Sequence, residues 1–169
     1  VALVATGLGL VASVFHLGRP ERGWRAIARW RTSWLSREVI VLPAFMAAVF
    51  AYGVAHWAGW RPALAMLPGG EIVDATLVIG VAASILAFTL FVCTGMIYAC
   101  LPFLREWHSP LTVLNFTLLG SASGFTLAAA FAGVAAPTLT QFFGTWALVM
   151  LGLAFVSRGA SLLRNARLK

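Results

Sequence analysis

Two ionisable residues, His16 and Glu38, stand at the ends of apolar runs, where a charge is costly and calls for a functional explanation. His16 closes the first run, and Glu38 opens the second run 22 residues later. In an antiparallel helix pair both positions fall at the same end, so we expect their side chains to meet. An imidazole beside a carboxylate at the edge of an apolar pocket can hydrogen-bond a quinone headgroup and accept the protons that quinol oxidation releases.

A purely structural explanation of the same pair also stays open from spacing alone. Glu38 can form an ion pair with Arg37 or Arg19 at a helix end, and His16 can act as a polar cap at the membrane interface. Neither arrangement would need a ligand.

The other histidines and the two cysteines do not form a cofactor-binding pattern. Cys93 and Cys100 lie seven residues apart in one apolar run, about 10 Å along a helix, which is too far for a disulfide. A b-type haem needs two axial ligands at matched depth, but His108 lies outside the apolar runs and His56 at the far end of the second. We therefore expect no haem, iron–sulfur cluster or other metal in this chain, and His56 as an interface residue.

The elements that position these residues are predicted to be membrane-spanning helices. Hydrophobic residues make up 61% of the 169 and charged residues 10%, with a mean hydropathy of +0.92, so the chain cannot cover a water-exposed surface. About 20 apolar residues cross a bilayer. Five runs qualify or come close: 1–16, 39–57, 75–101, 111–136 and 141–156. The predicted fold class is therefore all-α, a polytopic transmembrane bundle forming a single integral membrane domain over 1–169.

The basic residues support the five-span count independently. Of 12 lysines and arginines, all but Arg61 fall on one side of such a bundle. By the positive-inside rule that side is cytoplasmic. The excess of positive charge is therefore a topological signal, and we expect no nucleic-acid partner.

The first connection, residues 18–37, is rich in arginine and tryptophan. At α-helical spacing, Arg22, Arg25 and Arg29 fall on one face of a helix, and Trp24, Ile27, Trp30 and Trp34 fall on the other. That pattern predicts a helix lying in the membrane interface, with its aromatic face toward lipid. Its basic face is either a docking surface for a partner subunit or a contact with lipid headgroups, and a plain basic loop is the simpler alternative.

Small residues recur at helical spacing in the fourth run. Gly120 and Gly124 form a small-xxx-small motif that Ala128 and Ala132 extend. Such a stripe lets another helix approach closely.

Two regions of the sequence resemble a known family. His16-Leu-Gly-Arg-Pro-Glu-Arg22, followed by Thr32-Ser-Trp-Leu-Ser-Arg-Glu38, resembles the anchor subunit of dimethyl sulfoxide reductase-type complexes. The stretch from Met96-Ile-Tyr98 through Glu106-Trp-His-Ser-Pro-Leu-Thr112 is also similar to that family. Together these segments cover about a third of the chain.

The resemblance implies a haem-free anchor that oxidises a membrane quinol. The quinone that this oxidation produces would be menaquinone or ubiquinone. The electrons would pass to a four-cluster iron–sulfur subunit and from there to a molybdenum-cofactor catalytic subunit. The positions of His16 and Glu38 belong to the family's quinol site, and we count Arg19 with the residues that bind the quinone. Arg22, Arg25 and Arg29 are the predicted docking residues.

The family usually has about eight spans, so the resemblance also implies that this chain is part of a longer protein. A bacterial inner membrane is the expected location. Exported catalytic subunits, common in the family, would put the arginine-rich side in the periplasm, whereas the positive-inside rule puts it in the cytoplasm. The alternative function is a transporter or channel subunit, which would place polar residues or broken helices near mid-span.

Overall fold

The computed structural model describes residues 2–15 and 20–168, with the side chains of residues 2, 13, 14 and 20–24 left out. Its backbone contacts divide the chain into two compact units, residues 1–90 and 91–169. Five α-helices follow one another in the described part: α1 Ala2–Phe15, α2 Trp34–Trp57, α3 Ala75–Ala99, α4 Pro110–Ala135 and α5 Thr140–Asn165. The all-α bundle predicted from hydropathy is confirmed.

Four of the five predicted spans are long and apolar enough to cross a membrane. They are the helices α2 to α5, the last counted with the short 3-10 turn Pro137–Leu139 that leads into it. Helix α1 is also apolar and has 14 residues in the described part of the chain. Large apolar side chains such as Phe155, 81% exposed, cover the outside of these helices and suit a lipid environment.

The first unit contains α1, the first connection, α2 and residues 75–90 of α3. The connection forms a 3-10 helix over Pro20–Arg29 and then a turn. Ser33 ends the turn and caps α2, because its hydroxyl accepts the amide of Ser36 at 3.4 Å. The predicted interfacial α-helix up to Trp34 is thus replaced by a shorter 3-10 helix, and α2 begins at Trp34 rather than Val39.

A short hairpin joins α2 to α3. Strands β1 Ala63–Met66 and β2 Ile72–Asp74 pair antiparallel, and the turn between them contains the predicted Pro68-Gly69-Gly70 signal. Gly70 has φ +84°, the left-handed conformation that glycine adopts without strain.

The second unit contains residues 91–99 of α3 together with α4 and α5. Helices α4 and α5 pack along their length, and α3 meets α4 at Gly95. A Cβ atom added to Gly95 would lie 2.8 Å from the Cα of Val113, so the two backbones touch. The predicted small-residue stripe is only partly used: Gly120 accommodates the ring of Phe91, Ala132 is buried, and Gly124 faces open space.

The predicted cap of α4 is confirmed. The Ser109 hydroxyl accepts the amide of Leu111 at 3.2 Å, and Pro110 is the first helical residue. Of the two cysteines, Cys93 is buried and Cys100 is exposed.

Candidate functional site

Glu38 lies in the second turn of α2 and is half-buried. It follows Arg37, whose guanidinium holds the preceding turn: Nε donates to the Trp30 carbonyl at 3.0 Å and Nη2 to the Arg31 carbonyl at 2.9 Å. The same guanidinium stacks on the ring of Trp34 at 4.1 Å. Arg37 therefore fixes the backbone that leads into α2, and with it the position at which Glu38 enters the helix.

Three of the predicted site residues cannot be placed. His16 and Arg19 lie outside the described residues, as does the side chain of Arg22. The meeting of His16 with Glu38 therefore stays a prediction. Helix α1 does contact α2, which is the helix pairing that the prediction requires.

The other two predicted docking residues are exposed. Arg25 and Arg29 lie on the 3-10 helix, which packs against α2, and Arg29 is its last residue. Ile27 and Trp30 of the same segment are about half exposed, 46% and 52%. The described part of this segment thus presents both cationic and apolar groups at its surface.

The segment that joins α3 to α4, residues 100–109, is called the second connection here and is held by its own hydrogen bonds. Nδ1 of His108 donates to the Ala99 carbonyl at 2.7 Å, and the Thr112 hydroxyl donates to the Trp107 carbonyl at 2.7 Å. The ring of Tyr98 lies 5.3 Å from that of Trp107 and stacks on Phe116 at 5.8 Å. These contacts close the end of α3 over the start of α4.

Arg164 fastens this connection to the end of α5. Its Nη1 donates to the carbonyls of Arg105 at 3.2 Å and Glu106 at 3.4 Å, and its Nη2 donates to the carbonyl of His108 at 3.0 Å. Nη1 also reaches Oδ1 of Asn165 at 3.0 Å. Sequence reasoning missed this role, because the partners lie 56 to 59 residues away along the chain.

A cavity of about 940 Å³ lies beside α4 and α5 near this connection. Phe91, Phe116 and Leu119 are among its apolar walls, and Asn115 and Arg158 contribute polar groups. Asn115 is buried, 6% exposed, and its Nδ2 donates to the Ser161 hydroxyl at 2.8 Å. The sequence signal that could have predicted this cavity is an asparagine and an arginine inside two helices that span the membrane.

His56 belongs to a polar cluster at the hairpin connection. Nη2 of Arg61 lies 2.9 Å from Nδ1 of His56, within hydrogen-bond distance. The ring of Tyr52 meets that of His56 edge-on at 4.5 Å. Tyr52 and His56 line a groove of about 840 Å³ between α2 and the start of α3. That His56 lies at the membrane interface stays a prediction.

Asp74 caps the start of α3 in the same cluster. Its Oδ1 accepts the Leu77 amide at 2.7 Å and the Thr76 hydroxyl at 2.8 Å. These two hydrogen bonds hold the pKa of Asp74 below its ordinary value. Burial opposes them more weakly, and the positive charge of Arg61 adds a smaller lowering effect.

Within residues 2–15 and 20–168, no three histidine, cysteine, aspartate or glutamate side chains lie close enough together to hold a metal ion.

Comparison with known proteins gives a family and a relative. A model of the DMSO reductase anchor subunit (DmsC) family matches residues 1–169. A protein of Allochromatium vinosum that is named as a sulfite dehydrogenase subunit is 59% identical over 169 residues, which are all of this chain and 52% of that protein. The chain thus spans about half the length of this curated relative. No solved structure matches.

Proposed function

We propose that this chain, which belongs to the DMSO reductase anchor subunit (DmsC) family, exchanges electrons and protons with the membrane quinone pool on behalf of an attached oxidoreductase. The chain is an integral multi-pass membrane protein. The observation that carries the proposal is the position of Glu38: half-buried, in the second turn of a membrane-spanning helix, directly after the arginine-bearing connection. We propose that the protein lies in the bacterial inner membrane.

The quinone is a substrate, and His16 and Glu38 are the residues proposed to handle its protons. Quinol oxidation releases two protons with two electrons, and a site at the edge of the hydrocarbon has little water to take them. A neutral imidazole accepts a hydrogen bond from one quinol hydroxyl, and the carboxylate stabilises the imidazolium or takes the proton onward. Arg19 would bind the same quinone headgroup. The same groups return both protons when a quinone is reduced.

Two directions of electron flow are candidates. The family resemblance supports quinol oxidation that feeds a reductase. The name of the Allochromatium vinosum relative supports the opposite direction, because a sulfite dehydrogenase removes two electrons from its substrate and must deliver them to an acceptor. For this chain we favour quinone reduction by electrons from sulfite, since 59% identity over the whole chain is a specific likeness.

The proposed partners are an iron–sulfur subunit with four clusters and a molybdenum-cofactor catalytic subunit. They would dock on the side that carries Arg22, Arg25 and Arg29. The exposure of Arg25 and Arg29 beside half-exposed Ile27 and Trp30 supports this, because protein interfaces combine charge complementarity at the rim with buried apolar anchors.

The test compares two electron routes in membranes that contain the assembled complex. His16→Ala and Glu38→Gln should each lower quinone-linked turnover about 10²- to 10⁴-fold, the usual cost of losing a positioned acid–base group. Turnover with a soluble dye that exchanges electrons directly with the catalytic subunits should not change. Glu106→Gln, in the second connection, is the matched control and should leave both rates unchanged.

Intact quinone-linked turnover in the Glu38 variant would place the site elsewhere. Assembly of the variants is checked by the amount of catalytic subunit that stays with the membrane. The direction is tested in the same membranes: sulfite should drive reduction of a quinone analogue faster than the corresponding quinol drives reduction of dimethyl sulfoxide.

A further inference from the structure

The cavity beside α4 and α5 contains polar groups that the protein itself does not use. Asn115, buried on α4, donates through Nδ2 to Ser161, and the Ser161 hydroxyl donates to the Ser157 carbonyl at 3.1 Å. In the described part of the chain, Oδ1 of Asn115 is buried and has no hydrogen-bond partner; the Ser157 hydroxyl is also unpaired, but Ser157 is not one of the residues that line the cavity. Leaving such groups unpaired costs free energy, so the cavity wall calls for an additional donor.

Arg158 lies next to Ser157 on α5 and lines the cavity. Its side chain is exposed and makes no hydrogen bond or ion pair with any residue that the structure describes. Arg164, one and a half turns further along α5, differs because its guanidinium is already bonded to the carbonyls of the second connection. The donors of Arg158 are therefore available to a ligand in the cavity.

The depth of Arg158 makes an unpaired charge unfavourable. It precedes the end of α5 by seven residues, about 10 Å along the helix, and lies within the segment that is long and apolar enough to span the membrane. A guanidinium near the edge of the hydrocarbon is stabilised by an anion that it can reach from its long side chain. The apolar walls of the cavity, Phe91, Phe116 and Leu119, suit hydrocarbon chains.

We propose that this cavity binds an anionic phospholipid with a glycerol headgroup, phosphatidylglycerol or cardiolipin, as a site separate from the one for quinone. The phosphate would pair with Arg158, and a headgroup hydroxyl would donate to Oδ1 of Asn115. Basic pockets at the ends of membrane-spanning helices bind such headgroups. This inference goes beyond the proposed function and does not depend on it.

Charge favours a phosphate over a quinone as the occupant. A quinone or quinol can hydrogen-bond both Asn115 and Arg158 but carries no charge, so it would leave the guanidinium uncompensated. A phosphate both neutralises that charge and forms charge-assisted hydrogen bonds, which are about twice as strong as neutral ones.

The experiment counts the lipids that remain bound to the purified complex by native mass spectrometry, with phosphatidylglycerol or phosphatidylcholine added. The wild type should retain phosphatidylglycerol, and Arg158→Gln should bind it at least about tenfold more weakly, the effect of losing a charge-assisted contact. Arg167→Gln, an exposed arginine just beyond the end of the same helix and outside the cavity, is the matched control and should bind like the wild type. Because Arg158 has no partner among the described residues, its replacement should not impair folding.

A second comparison tests the proposed hydrogen bond from the lipid's glycerol hydroxyl to Oδ1 of Asn115. Phosphatidylmethanol carries the same charge without a glycerol hydroxyl, so the wild type should prefer phosphatidylglycerol to it, and Asn115→Leu should abolish that preference. Equal losses in the Arg158 and Arg167 variants would reduce the effect to general attraction by a basic surface and overturn the proposal. So would displacement of phosphatidylglycerol by a short-chain quinone, which would assign the cavity to the quinone.

Discussion

Two kinds of arginine occur at the first and second connections: some donate hydrogen bonds to backbone carbonyls, and others lie on the exposed surface. In the second connection, residues 100–109, the guanidinium of Arg164 is bonded to three backbone carbonyls, and the segment is closed by its own hydrogen bonds. In the first, Arg37 is bonded to the backbone in the same manner, whereas Arg25 and Arg29 are exposed on the 3-10 helix beside half-exposed Ile27.

The difference separates two roles that composition cannot distinguish. An arginine whose donors reach backbone carbonyls stabilises the fold, and its loss should be visible in stability. An arginine on an exposed surface contributes little to stability, so its loss should be visible mainly in the attachment of the partner subunits. The comparison therefore predicts which measurement responds to which variant.

The largest effect is expected at the first connection. Replacing Arg22, Arg25 and Arg29 together with glutamine should release most of the peripheral subunits from the membrane, because these residues are proposed to complement the charge of the partner. The thermal unfolding of the anchor itself should change little. Immunoblots of washed membranes and supernatants measure the release, with Arg167→Gln as control; a complex that stays bound and active would show that this surface contacts only lipid.

A smaller effect is expected at the second connection. Arg164→Met removes the bonds to the carbonyls of Arg105, Glu106 and His108 and should lower the free energy of unfolding by about 1–2 kcal/mol, the lower range for charged hydrogen bonds because the site is partly exposed. Hydrogen exchange of residues 100–109 should accelerate, while subunit attachment should persist. If Arg167→Met has the same effect on exchange, the contacts of Arg164 are not the cause.

The smallest effect is expected at the hairpin between α2 and α3. As at the second connection, a charged side chain there, that of Asp74, is hydrogen-bonded within the protein. Because the pKa of Asp74 is lowered in the folded protein, its carboxylate stabilises the start of α3 above the ordinary aspartate pKa and loses this effect as the pH falls through the lowered value. Hydrogen exchange at Thr76 and Leu77 should therefore accelerate on acidification in the wild type. Asp74→Asn should remove this pH dependence, and equal pH responses in the two proteins would contradict the assignment.

How far the sequence predicts this molecule depends on the range of the interactions involved. Apolar runs predict the helices because a span needs little besides length and hydropathy, and the Ser109 cap follows from two adjacent residues. Helix α5 nevertheless continues to Asn165, nine residues beyond the predicted Val156, because arginine favours a helix and its long side chain can reach the edge of the membrane from the last turns.

The missed features all depend on tertiary contacts or on weak local preferences. The strands Ala63–Met66 and Ile72–Asp74 are too short for a period-2 pattern to stand out. The 3-10 form of Pro20–Arg29 is not distinguishable by composition from the predicted α-helix. The contacts of Arg164 and Asn115 join residues more than 40 positions apart, so no motif encodes them.

The contact between Gly95 and Val113 limits which side chains this chain can accept at position 95. A methyl group at position 95 would meet a backbone atom, which no change of side-chain rotamer can relieve, so substitution there requires α3 and α4 to separate. A methyl group at Gly124, Gly133 or Gly144 meets nothing within 4 Å. Among these helical glycines, tolerance to substitution is therefore decided by the neighbouring backbone, and position 95 should be the one that a library of random variants leaves unchanged.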